Sequence, residues 1–163
     1  MAAMSEVLLL VGRLNYVWTN TESLLIYVIA HLLKVDKEGA VVVFLTLNTT
    51  RARIDLVERL AKLRSTSAAD RKEVLGAMAR LKKESKMRNK YNHCIYSFDE
   101  NGDISSTQLM RLVEDDKQVR YGKVEPVDDQ EIKSLEKSIA EIAAISKDIW
   151  SFVKKSDRVS GLL

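Results

Sequence analysis

Arg88-Asn89-Lys90-Tyr91-Asn92-His93 joins residue types that suit phosphodiester chemistry. Arg88 stands five residues before one of only two histidines, and it is the only arginine followed directly by Asn, Asp or His. Histidine takes or gives a proton near neutral pH, and arginine holds developing negative charge through a planar fork of donors. Together they make a minimal kit for cleaving a phosphodiester without a metal. The structural alternative is that Arg88 and His93 close the end of a helix, where cations and N–H donors satisfy the last carbonyls and the helix dipole.

The order arginine, polar residue, three to five further residues, histidine resembles the signature of the HEPN superfamily. These are small all-helical proteins, many of them ribonuclease toxins or antiphage effectors. The resemblance rests on residues 88–93 and on a helical reading of most of the chain. It implies His93 as the acid/base, Arg88 as the electrophilic group and Asn89 as the polar residue that orients them. It also implies attack of an RNA 2′-hydroxyl on its own phosphate, and a homodimer in which two motifs meet. Lys86, Lys90 and Tyr91 are then the candidates for holding the RNA backbone and stacking on a base.

The elements that must position this motif are mostly helices. With 163 residues, 46% apolar and 30% charged, the chain reads as one soluble domain over residues 1–163, large enough for a real interior. One proline and six glycines argue against an all-β architecture. A lone cysteine, Cys94, forms no internal disulfide, which fits a reducing, cytoplasmic setting. The apolar stretch Leu24–Leu33 carries His31 and is too short for a membrane span, so no membrane partner is expected. Net charge is +3, unevenly spread. Residues 51–93 hold thirteen Lys/Arg against five Asp/Glu, while residues 94–163 hold ten against fourteen. The basic excess leads into the motif, where RNA phosphates would want it, although a solvated helix face looks the same.

Helices are expected at about 5–16 and 20–33, or as one long helix with a disturbance between, the second capped by Thr19 with Glu22. Glu22 is alternatively a carboxylate facing the motif. Asp36 should cap a short element over 38–47, read as helix because no second apolar β-branched run exists to pair with it. Thr49 or Thr50 should start a helix to about Leu63, and Asp70 with Glu73 one to about Lys90. Residues 94–124 change character. Alternation around Asn101-Gly102 predicts a two- or three-stranded antiparallel insertion. Asp128 or Asp129 then caps a last helix with an apolar stripe at Ile132, Leu135, Ile139, Ile142, Ile149 and Val153, broken by Ser146.

Other chemistry is poorly supplied. Residues 97–108 partly match a calcium-binding loop, but Ser97 and Gln108 replace its end carboxylates. One cysteine and two distant histidines make no zinc ligand pair. No glycine-rich phosphate loop is present, so neither metal nor cofactor is expected. His31 reads as a hydrogen-bonded core residue. The expected architecture is an all-α bundle of about five helices with a small antiparallel β insertion before the last one. Two functions compete. One is a HEPN-like, metal-independent endoribonuclease. The other is a non-catalytic helical interaction module or dimeric scaffold that binds nucleic acid or a protein.

Overall fold

The computed structural model describes residues 3–156. Its elements are α1 (Met4–Ser23), α2 (Leu25–Leu33), α3 (Lys37–Thr46), α4 (Thr50–Ala61), α5 (Ala68–Asn92), β1 (Cys94–Phe98), β2 (Ile104–Leu109), β3 (Leu112–Glu114), β4 (Val119–Tyr121), β5 (Val124–Pro126) and α6 (Asp129–Lys154). The chain is mostly helical, with a small antiparallel sheet before the last helix. Strand makes up 13%, so "all-α" overstates it. Among the described residues α1 and α2 are set apart by Leu24 alone, so the expected bundle of about five helices holds, with the disturbance between the first two placed at Leu24. Two compact units are formed, one from Met1–Tyr16 with Ser85–Ala140, the other from Val17–Glu84 with Glu141–Leu163.

In the second unit, α2 is apolar nearly all round and buries Leu25, Val28, Ile29 and Leu32. Lys34 ends it in the left-handed conformation at φ 58°. The Asp36 carboxylate then caps α3 by accepting from Gly39 N–H at 2.8 Å, and Thr49 caps α4 by accepting from Ala52 N–H at 3.1 Å. The apolar run Val41–Leu45 is helix, as the missing partner strand implied. Ile54, Val57 and Leu60 of α4 are buried, as are Val74, Met78 and Leu81 of α5.

Two expected caps are different in fact. Thr19 lies exposed inside α1, and Glu22 is a buried junction rather than a capping partner. Its carboxylate accepts from the Trp18 indole at 3.1 Å, the Thr50 hydroxyl at 2.8 Å and the Arg53 guanidinium at 3.2 Å. Helix α5 starts three residues early because the Ser67 hydroxyl, not the Asp70 carboxylate, caps it, accepting the N–H of Asp70. Asp70 is thereby left to meet His31.

In the first unit, Val7, Leu10 and Leu14 of α1 are buried, together with Tyr91, Cys94, Ile104, Ile132, Leu135 and Ile139. The insertion holds five short strands in two sheets, more than the two or three expected. β1, β2 and β5 form one antiparallel sheet in that order, and β3 and β4 form a separate two-stranded ribbon. β1 and β2 join through Asp99–Asp103. Asp99 N–H donates to the Asp103 carbonyl, and the Asp99 carboxylate accepts from the N–H groups of Asn101 and Asp103. Only Gly102 takes positive φ, at 82°, so the Asn-Gly turn is present without the double left-handed step of a two-residue hairpin. Asp128 caps α6 by accepting from Glu131 N–H at 2.8 Å. Every residue of the expected α6 stripe is buried, and Ile145 and Phe152 join it. That stripe is consumed within the chain and gives no warrant for a dimer.

Candidate functional site

His93 follows the last residue of α5 directly, and its side chain is exposed. Its backbone is held from both sides. The N–H donates to the carbonyls of Asn89 at 3.1 Å and Lys90 at 3.3 Å, and the carbonyl accepts from Met110 N–H at 2.9 Å. The end of the helix and the end of β2 thus fix where the imidazole begins.

A helix leaves its last four carbonyls without intrahelical partners. Here those of Asn89 and Lys90 take the His93 N–H, and that of Tyr91 takes the Tyr96 hydroxyl at 3.3 Å and the Cys94 thiol at 3.8 Å. The helix end is served by groups other than the His93 ring. Among the described residues that ring makes no hydrogen bond. The capping explanation for His93 therefore lacks its contact.

Helical phase decides which side chains share the face of His93. Asn89 lies four residues before it and Lys86 seven, one beneath the other on a single stripe, and both are exposed. Arg88 is five residues back and leaves the helix about 140° away, given 100° per residue. It is half-buried, and its Nη1 donates to Asn89 Oδ1 at 3.2 Å. Asn89 thereby holds one end of the guanidinium.

Lys90 and Tyr91 stand elsewhere. The Lys90 ammonium is 2.7 Å from Glu125 and 2.7 Å from Glu131, with its side chain only 15% exposed. Burial alone would lower its pKa, but hydrogen bonds to Glu125 and Glu131 outweigh that and raise it. Glu125 is held below the usual carboxylate range, by Lys90 first and Lys123 second. The Tyr91 ring is buried, and its hydroxyl donates to Glu131 at 2.9 Å. Burial first, then the Glu131 charge, pushes that phenol well up, and burial does the same to Tyr96 and Cys94. A buried ring offers no face to a base, and an ammonium between two carboxylates is already neutralised. Both residues belong to the support beneath the motif. Cys94 is likewise buried and its thiol kept protonated, so it is no nucleophile.

The rest of the basic run is partly spent as well. In the second unit Arg80 bonds to Glu141 and Asp148, and Lys82 to Glu58 at 2.7 Å. The same unit holds a groove of about 580 Å³ between α5 and α6, lined by Val74, Met78, Ile149 and Phe152 together with Lys72 and Lys155. None of the motif residues lines it.

One constellation escaped the sequence reading. His31 Nε2 is 2.8 Å from Asp70 and Nδ1 is 3.0 Å from Ser156 Oγ, with the imidazole edge-on to Phe152. Serine, histidine and aspartate in a row are the parts of a hydrolase triad. Ser156 is only 8% exposed, however, so no substrate carbonyl reaches its oxygen, and the trio ties α2, α5 and the end of α6 together. Separations of 39 and 125 residues left no local signal.

Among the described residues no three His, Cys, Asp or Glu side chains gather as a metal site, and no helix is long and apolar enough to cross a membrane. The chain matches no protein-family model, and neither the curated proteins nor the solved structures include a significant match.

Proposed function

We propose that this chain is a HEPN-like, metal-independent endoribonuclease that works at Arg88, Asn89 and His93. His93 takes the proton from an RNA 2′-hydroxyl as that oxygen attacks the adjacent phosphorus and the bond to the 5′-oxygen breaks. Arg88, steered by Asn89, meets the charge that develops on the phosphoryl oxygens. Lys86, on the same stripe as Asn89 and His93, holds a neighbouring phosphate. Two such motifs from a homodimer supply the base for attack and the acid for the leaving oxygen.

The observation that carries this reading is the state of His93. Its backbone is pinned on both sides, its ring is exposed, and the carbonyls of Asn89, Lys90 and Tyr91 already have donors. The experiment is to incubate the purified protein with single-stranded RNA in chelator. The wild type is expected to leave 2′,3′-cyclic phosphate ends. His93→Ala should lose about a hundredfold or more in rate, and Arg88→Lys nearly as much, because a point charge does not reproduce the two-donor contact. Both variants should keep the wild-type circular dichroism. Equal RNA half-lives for wild type and His93→Ala across several substrates would end the proposal.

The second reading, a binding module without catalysis, draws on a different observation. Ile95, Phe98, Met110, Leu112, Tyr121 and Val124 of the insertion are each more than half exposed. Exposed apolar side chains gathered in one small segment mark an interaction surface.

A further inference from the structure

The β3–β4 ribbon is anomalous as it stands. All six of its strand residues are exposed, and Leu112, Val119 and Tyr121 are exposed at 63%, 52% and 75%. Leu112 pairs with Tyr121 and Glu114 with Val119, so these four share one face, while Val113 and Arg120 occupy the other. A two-stranded ribbon with no buried face is marginal in water, and three or more strands are usually needed.

The ribbon's own hydrogen bonds show which edge is open. Asp115 N–H donates to the Gln118 carbonyl at 3.0 Å, one step beyond the Glu114–Val119 pair. Bonded and non-bonded pairs alternate in an antiparallel ladder, so Val113 exchanges bonds with Arg120. The N–H and C=O groups of Leu112 and Glu114 then point outward from β3, away from β4.

We propose that a second copy of this chain completes the ribbon, with β3 pairing antiparallel to its counterpart about a two-fold axis at Val113. Arg111-Leu112-Val113-Glu114-Asp115 is complementary to itself when reversed. Val113 faces Val113 of the second copy, Arg111 faces its Asp115, whose exposed carboxylate also meets Arg120 of its own ribbon at 3.3 Å, and Leu112 exchanges two backbone bonds with its Glu114. The symmetry repeats those bonds and that ion pair, as an isologous contact requires. The order becomes β4-β3-β3-β4, a four-stranded sheet in which Leu112 and Tyr121 of each copy line up with Glu114 and Val119 of the other. Pairing through β4 instead, about Arg120, would set arginine against arginine. Charge complementarity therefore selects β3 as the edge and a second copy as the occupant. This seam needs no RNA and stands apart from the nuclease reading. It adds to that reading a way for two motifs to share one dimer, because Met110, whose N–H holds the His93 carbonyl, lies two residues before Leu112.

Cysteine at the symmetry axis tests it. Facing residues of a non-bonded antiparallel pair lie about 4.5 Å apart at Cα, within the range a disulfide spans. Val113→Cys should form a covalent dimer on air oxidation, read on a non-reducing gel. Arg120→Cys should not, since its two copies would sit three strand spacings apart, about 14 Å. The native thiol at Cys94 is buried and leaves the readout clean. In sedimentation, Leu112→Pro should weaken the wild-type dimer at least tenfold, because it deletes an outward N–H and leaves the β3–β4 bonds in place. A wild type that stays monomeric at every concentration would overturn the proposal and leave the ribbon to a different partner. A wild-type dimer whose Val113→Cys form does not cross-link would overturn it too, by placing the interface elsewhere. The His93→Ala cleavage result bears on neither outcome.

Discussion

Lys90 separates the two roles that a lysine beside His93 can play, as a phosphate contact or as a structural cation. Lys90→Met keeps the length of the stem and removes the charge. The ammonium lies 2.7 Å from each of two carboxylates, of Glu125 and Glu131, whose side chains are 34% and 17% exposed. Breaking a fully buried ion pair by deleting one partner costs about 3–5 kcal/mol, whereas an exposed pair is worth about 0–1 kcal/mol. With Glu131 mostly buried and Glu125 a third exposed, about 2–3 kcal/mol is expected. For a chain of this size that lowers Tm by about 5–10 °C. Urea denaturation gives the number, with exposed Lys86→Met as the control within about 0.5 kcal/mol of wild type. A double-mutant cycle with Glu131→Gln should return a coupling of about 1 kcal/mol or more. Should Lys90→Met match wild type in stability while losing RNA affinity, Lys90 would be a phosphate contact and the structural argument would be wrong.

The same cluster sets a pH window. Glu125, depressed below its ordinary 4.5 by Lys90 and Lys123, contributes stability that is complete above that value and lost as pH falls through the depressed one. Lys90, raised above its ordinary 10.5, contributes stability that is complete below that value and lost as pH climbs through the raised one. Urea midpoints should therefore plateau between about pH 5 and 10, with Lys90→Met flattening both shoulders, and an unchanged profile would remove the cluster from the account. Glu22→Ala should cost about 3–5 kcal/mol and Glu22→Gln less, since three donors lose a buried acceptor, and a measured loss under about 1 kcal/mol would show that water replaces it. At Gly122 an added Cβ would collide with the Leu109 carbonyl oxygen, so Gly122→Ala should loosen β5 from β2. Hydrogen exchange at the Leu109 amide, bonded to the Lys123 carbonyl, reads this directly, and unchanged protection would sink it.

The helices were legible because their signals are local. Asp36, Thr49 and Asp128 cap as their types suggest, and the stripe from Ile132 to Val153 is buried at the spacing that announced it. The break between the first two helices is expected at 17–19 and lies at Leu24, where no glycine or proline marks it. The insertion was recognised from alternation and from Asn101-Gly102, but three-residue strands are too short to alternate, and the split into a sheet and a ribbon was invisible. Glu22 shows the deeper limit. Its partners Thr50 and Arg53 lie 28 and 31 residues away, so a capping box at the right spacing looked sufficient.

The motif shows the same division between local and distant information. Type and spacing single out Arg88, Asn89 and His93 as candidates, and helical phase alone puts Asn89 under His93 and turns Arg88 aside. What spacing could not show is which neighbouring cations are already engaged. Lys86 and Lys90 look equivalent in a basic run, yet one sits exposed on the His93 stripe and the other is held by Glu125 and Glu131, 35 and 41 positions further on. Nor could spacing decide between a capping histidine and a free one, because the groups that occupy the helix end, Tyr96 and Cys94, lie beyond the motif on the first strand. The insertion therefore helps to build the candidate site. By supplying donors to the Tyr91 carbonyl, β1 relieves His93 of a structural duty, and by holding the His93 carbonyl, Met110 keeps the histidine in place while its ring remains in solvent.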